Sequence, residues 1–128
     1  MGKPRPLSPH LTVYRPLIGS YTSILHRATS AALLGGLGFL AAWLVAIGEG
    51  GALFDALSAL WASPVGKVML FGWTFCAFFY AAHWVRHFAW DMGYGFELPT
   101  ARLTGRLALF GSAAASVLVW LYVAMRAT

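Results

Sequence analysis

Charge is what this chain has least of. Nine Lys and Arg and four Asp and Glu make up 10% of 128 residues, against about 25% in ordinary soluble domains. That scarcity excludes a soluble globular fold. Cysteine is nearly absent too. The single Cys76 lies in an apolar run, so neither a disulfide framework nor a thiolate metal site can be built. Internal repeats and low-complexity tracts are lacking, and so is any polar stretch long enough for a catalytic domain of its own. Any enzyme activity therefore depends on partners. The net charge of +5 does not argue for nucleic acid, because the basic residues stand at the ends of apolar runs rather than in a patch.

What is present is hydrophobic: 59% of the residues, with a mean hydropathy of +0.69. A bilayer core needs about 20 apolar residues per helix, and three such runs occur. The chain reads as one all-α integral membrane-anchor domain over 1–128, part of a multi-chain helix bundle. It has an arm at 1–20 and spans at about 22–47, 65–91 and 103–125. Pro4, Pro6, Pro9 and Pro16 make the arm extended or irregular. No cleavable signal or transit pattern is expected there, and the chain reads as mature and bacterial.

A helix is expected to start at Ser20 or Tyr21 and to close at Gly48-Glu49-Gly50-Gly51. Residues 52–62 suit a short interfacial helix with Trp61 at headgroup level, and Trp90 reads as a second anchor. Ser63-Pro64 is a helix-start signal, a side-chain cap before a first-turn proline. The second span closes near Gly93-Tyr94-Gly95, and Pro99-Thr100 offers a cap for the third. Gly35, Gly36, Gly38 and the stretch 111–115 are small enough for close helix contacts.

Basic residues set the orientation. Lys3, Arg5, Arg15, Arg27, Arg86, Arg102 and Arg106 fall on one side, Lys67 and Arg126 on the other, so the N-terminus is expected in the cytoplasm. Two polar clusters then meet on that side, one at the start of the first span and one at the end of the second.

Ser23 and Arg27, four apart, share a helical stripe. A hydroxyl one turn from a permanently charged guanidinium can hydrogen-bond a carbonyl and favour the anion formed on its reduction, which suits a quinone head group. The alternative is that Ser23 caps the helix and Arg27 snorkels to phosphates. In the second cluster Tyr80, His83 and His87 share a face, with Asp91 a turn further on. Imidazole on a membrane helix can ligate haem iron. The alternative is a His87–Asp91 pair that neutralises a helix end, with Arg86 pointing to lipid headgroups.

The blocks Arg5-Pro6-Leu7-Ser8-Pro9-His10-Leu11 with Tyr14-Arg15, Ser23-Ile24-Leu25-His26-Arg27, and Arg86-His87 with Asp91 and Gly93 together resemble the cytochrome b556 subunits of succinate dehydrogenase. These are the larger membrane anchors of respiratory complex II. The resemblance covers nearly the whole chain. It implies a complex with a flavoprotein subunit, an iron–sulfur subunit and a second three-helix anchor in the bacterial cytoplasmic membrane. It also implies a ubiquinone site and a shared haem b. By match to the family pattern, Ser23, Arg27 and Asp91 serve the quinone, and His26, Arg27 and His87 serve the haem surroundings. The family's ligating histidine normally stands seven residues before the His of the Arg-His block. Tyr80 occupies that place here, so His83, one turn on, is the expected ligand. Tyr80, ligation by the other anchor alone, or a complex that binds no haem are the alternatives. An anchor of a menaquinone-linked fumarate reductase, and a small transporter or assembly factor, are the competing functions.

Overall fold

Each apolar run folds as a helix, as a hydrocarbon environment demands of a backbone whose every polar group must bond internally. The computed structural model describes residues 17–127. It comprises α1 (Ile18–Glu49), α2 (Gly51–Ala62), α3 (Pro64–Asp91) and α4 (Leu98–Ala127), with no strand among the described residues. Residues 1–16 of the expected arm, with its block from Arg5 to Leu11 and Lys3, Tyr14 and Arg15, lie outside them. Helices α1, α3 and α4 are long and apolar enough to cross a membrane. At 1.5 Å per residue they reach roughly 40–50 Å, beyond a hydrocarbon core of about 30 Å, so their ends stand among headgroups.

The helix starts refine the expected boundaries. Helix α1 begins at Ile18, ahead of Ser20, and has no side-chain cap; the amides of Ser20 and Tyr21 donate to the Leu17 carbonyl at 2.9 and 3.3 Å. Ser23 therefore lies inside the helix and caps nothing. Helix α3 starts as its sequence signal predicts, with Ser63 Oγ accepting from the Gly66 amide at 3.1 Å and Pro64 in the first turn. Helix α4 begins at Leu98, before the expected Thr100 cap. Proline needs no amide partner in a first turn, so Pro99 is accommodated and the Glu97 carbonyl accepts from the Ala101 amide at 2.8 Å. Between α1 and α2 the chain turns through Gly50 and Gly51 at φ +69° and +72°, a left-handed corner open to glycine without strain.

Helix α3 is central and packs against the other three. On the α1 side Gly36 receives the Trp73 ring so closely that a Cβ there would stand 2.7 Å from it, and the Trp73 indole donates to the Ala32 carbonyl at 3.1 Å. Gly35 and Gly38 face open space, so only one of the three glycines makes the close contact. On the α4 side the buried small residues are Gly105, Ala108, Ser112 and Ser116, while Gly111 faces outward. The Ser112 and Ser116 hydroxyls donate to the carbonyls of Ala108 and Ser112 at 2.6 and 2.7 Å, which satisfies them in an apolar interior. Trp120 ties α4 to α3 by donating to Thr74 Oγ1 at 3.1 Å. Trp61 is half-buried and packs against Trp73 and Phe39, with ring centroids at 5.7 and 6.1 Å. It is a packing residue as well as a candidate anchor.

Among the described residues the buried hydrophobics are only Ala46, Phe79 and Ala108, whereas Leu34 and Val68 are each 72% exposed. Apolar side chains directed outward are what lipid or neighbouring helices cover.

Candidate functional site

The two polar clusters converge. Helix α1 brings His26 against the last turns of α3, where its ring stacks on His83 at 4.2 Å and on Tyr80 at 5.2 Å, and lies 6.3 Å from His87. Helical spacing explains the grouping: Tyr80, His83 and His87 fall on one face, and that face meets α1. The Nε2 atoms of His83 and His87 are 3.1 Å apart, so one ring donates a proton and the other accepts it. His87 is thus turned towards His83, not towards Asp91. Phe79, fully buried, backs the cluster at 5.9 Å from His83.

Ser23 and Arg27 are exposed on α1, one turn apart, and Asp91 is exposed at the last residue of α3. All three stand at the end of the bundle that holds the imidazole seam. None is folded into the chain's interior. A surface hydroxyl, a guanidinium and a carboxylate at one end of a helix trio can hydrogen-bond a polar head group lying against the protein, provided a neighbour closes the other side.

Arg86 is not the freely extended side chain that the alternative reading of its cluster supposes. It is only 8% exposed, donating from Nε to Thr104 Oγ1 at 3.0 Å and from an η nitrogen to the Ala101 carbonyl at 2.9 Å. Its guanidinium lies 4.3 Å over the Trp90 ring. Trp90 in turn donates to the Gly95 carbonyl at 3.2 Å and stacks on Phe96. These contacts fasten α3 to the start of α4 and brace the turn between them. The four-residue step from Arg86 to Trp90 was the available sequence signal, since it sets the cation on the ring within one helix. Trp90 therefore braces the protein itself, whatever it does at the interface.

The donor chemistry suits a haem. Three imidazoles meet in the seam, and two of their nitrogens, His26 Nε2 and His83 Nδ1, are buried without a hydrogen-bond partner. Packing imposes a condition, because His83 is 5% exposed beneath His26 and offers iron no open face until that ring swings aside. Among the described residues no group of three or more His, Cys, Asp or Glu side chains is arranged to hold a bare metal ion. Cys76 is a free, half-buried thiol on α3 and takes no part in the cluster.

Comparison with known proteins places the chain in a family. Residues 1–119 match a family described as the succinate dehydrogenase/fumarate reductase transmembrane subunit. The chain is 34% identical over 116 residues to a succinate dehydrogenase cytochrome b556 subunit of Rickettsia conorii, covering 91% of this chain and 90% of that one. It is 34% identical over 114 residues to the subunit of the same name from Paracoccus denitrificans, covering 89% and 88%. The mitochondrial cytochrome b560 subunit of Sus scrofa is 31% identical over 121 residues, covering 91% and 70%.

Proposed function

The chain belongs to the succinate dehydrogenase/fumarate reductase transmembrane subunits, and from that premise we propose that it is the larger membrane anchor of a succinate:ubiquinone oxidoreductase. Its partners on this reading are a flavoprotein that oxidises succinate, an iron–sulfur subunit that carries the electrons, and a second three-helix anchor. The complex sits in the bacterial cytoplasmic membrane with the N-terminus of this chain in the cytoplasm. The chain has no activity alone. It holds the quinone where the iron–sulfur subunit can reduce it.

The observation that carries the reading is the shared location of two sets of groups. Ser23 and Arg27 are exposed on one stripe of α1, and His26, between them in sequence, stacks on His83 of α3. The Ser23 hydroxyl donates to a quinone carbonyl, and Arg27 stabilises the negative charge that grows on that oxygen as electrons arrive, since a guanidinium stays protonated throughout. Asp91 borders the pocket from α3. Protons for the quinol enter through water near Ser23, His26, Arg27 and Asp91. When bound, haem b supplies a one-electron carrier beside the pocket. His83 would be its ligand from this chain, and His26, Arg27 and His87 would form its polar surroundings.

The test is Arg27→Ala in the assembled complex. Quinone reduction should fail, or the apparent KM for quinone should rise, while succinate oxidation with an artificial dye continues. Equal loss of both activities would assign Arg27 to assembly and defeat the reading. Because the family description also names fumarate reductase, the quinone extracted from the purified complex separates a ubiquinone-linked enzyme from a menaquinone-linked one.

A further inference from the structure

We propose that the groove between α3 and α4 over Arg86 binds the phosphate of an anionic phospholipid, with one acyl chain lying along the groove. Among the described residues Arg86 is the only charged one lining this groove of about 390 Å³; Val85, Leu107 and Ala108 form apolar walls, and Trp90 and Tyr94 also line it. Arg86 is 8% exposed, yet both its hydrogen-bond acceptors, the Thr104 hydroxyl and the Ala101 carbonyl, are neutral. The chain has four acidic residues in all, Glu49, Asp55, Asp91 and Glu97, and neither acceptor is one of them. A nearly buried cation whose acceptors among the described residues are all neutral retains donors for an anion.

Depth identifies the anion. Residues 68–85 of α3 carry no charge, and neither do residues 107–125 of α4, so Arg86 and Arg106 both stand where the hydrocarbon ends. Lipid phosphates occupy that level, and a guanidinium recognises a phosphate through paired N–H donors. Arg102 and Arg106, exposed on the first turns of α4, add positive charge beside the groove. The inference needs the chain to lie in a membrane, but it does not need the quinone or haem assignments.

The whole complex is placed in bilayer discs of phosphatidylcholine with a minor fraction of phosphatidylglycerol, then released from them and weighed intact by native mass spectrometry. Leu107→Trp fills the groove and leaves both Arg86 hydrogen bonds in place. Leu118→Trp, on the exposed face of α4 outside the groove, is the control. Phosphatidylglycerol occupancy should fall about tenfold in Leu107→Trp, the size expected for losing one charge-assisted contact, and stay unchanged in Leu118→Trp. Val85→Trp, on the opposite wall, gives the same reading if Leu107→Trp does not assemble. Undiminished occupancy in the filled groove overturns the proposal. So does equal retention of phosphatidylcholine by the wild type, or a carboxylate of a neighbouring subunit found bonded to Arg86.

Discussion

The imidazole of His26 lies 4.2 Å from that of His83 with only 22° between the ring planes, which makes α1 a cover for the histidine proposed to face haem iron. Neither ring has a full set of hydrogen-bond partners: His26 lacks one at Nε2 and His83 at Nδ1. Two stacked rings, each with an unsatisfied nitrogen, suit a seam that opens when a ligand arrives.

Spectroscopy distinguishes the two histidines. In reduced-minus-oxidised spectra of the purified complex, His83→Leu should lose the b-type band, whereas His26→Ala should keep it, because on the proposed reading His26 covers the ligand without being it. A band unchanged in His83→Leu would move ligation to Tyr80, to His87 or to the second anchor.

The Trp73–Gly36 contact predicts a sharp difference between adjacent glycines. A methyl at Gly36 would collide with the indole at 2.7 Å, while one at Gly35 meets nothing within 4 Å. Gly36→Ala should therefore destabilise the detergent-solubilised complex by about 1–3 kcal/mol, the usual cost of overpacking. Gly35→Ala should fall within about 0.5 kcal/mol of wild type. Thermal unfolding followed by loss of succinate-driven quinone reduction measures both.

Thr104 has no role a sequence motif would reveal, yet it accepts from Arg86 Nε at 3.0 Å. Thr104→Val keeps the shape and removes the acceptor, leaving part of a nearly buried guanidinium unsatisfied. The expected cost is about 1–3 kcal/mol, read as a shorter half-life of the complex in detergent. Thr104→Ser should restore most of the loss.

Orientation is open to chemical labelling in intact membranes. With Cys76→Ser as background, a cysteine at Asp55 on α2 should react with an impermeant maleimide from the periplasmic side, and one at Arg102 should not. The reverse pattern would put the N-terminus outside and remove the quinone pocket from the cytoplasmic face.

Much of this was legible in the residues. Charge-free runs the length of a bilayer specify helices whatever their neighbours, so α1, α3 and α4 could be anticipated, and Ser63-Pro64 marked the start of α3 by its own local chemistry. The convergence of the two clusters followed from connectivity, since one span begins on the side where the other ends. Helix rotation was not legible. In lipid the apolar face carries no periodic contrast, so nothing in the pattern told that Arg86 would be tied to Thr104, or which of Gly35, Gly36 and Gly38 met a partner. The α1 start was misplaced for a related reason. Its first turn closes on the Leu17 carbonyl without any capping side chain to announce it.

Among the described residues the buried hydrophobics, Ala46, Phe79 and Ala108, are too few to hold a helix trio in one arrangement by burial alone. Released from its companions, such a chain would stay inserted, while its helices slid and tilted around the Trp73 notch and the Arg86 clasp. Its architecture is thus borrowed from the assembly that surrounds it. Cells making this chain in excess should accumulate an inserted orphan whose fate is decided by quality-control proteases rather than by unfolding.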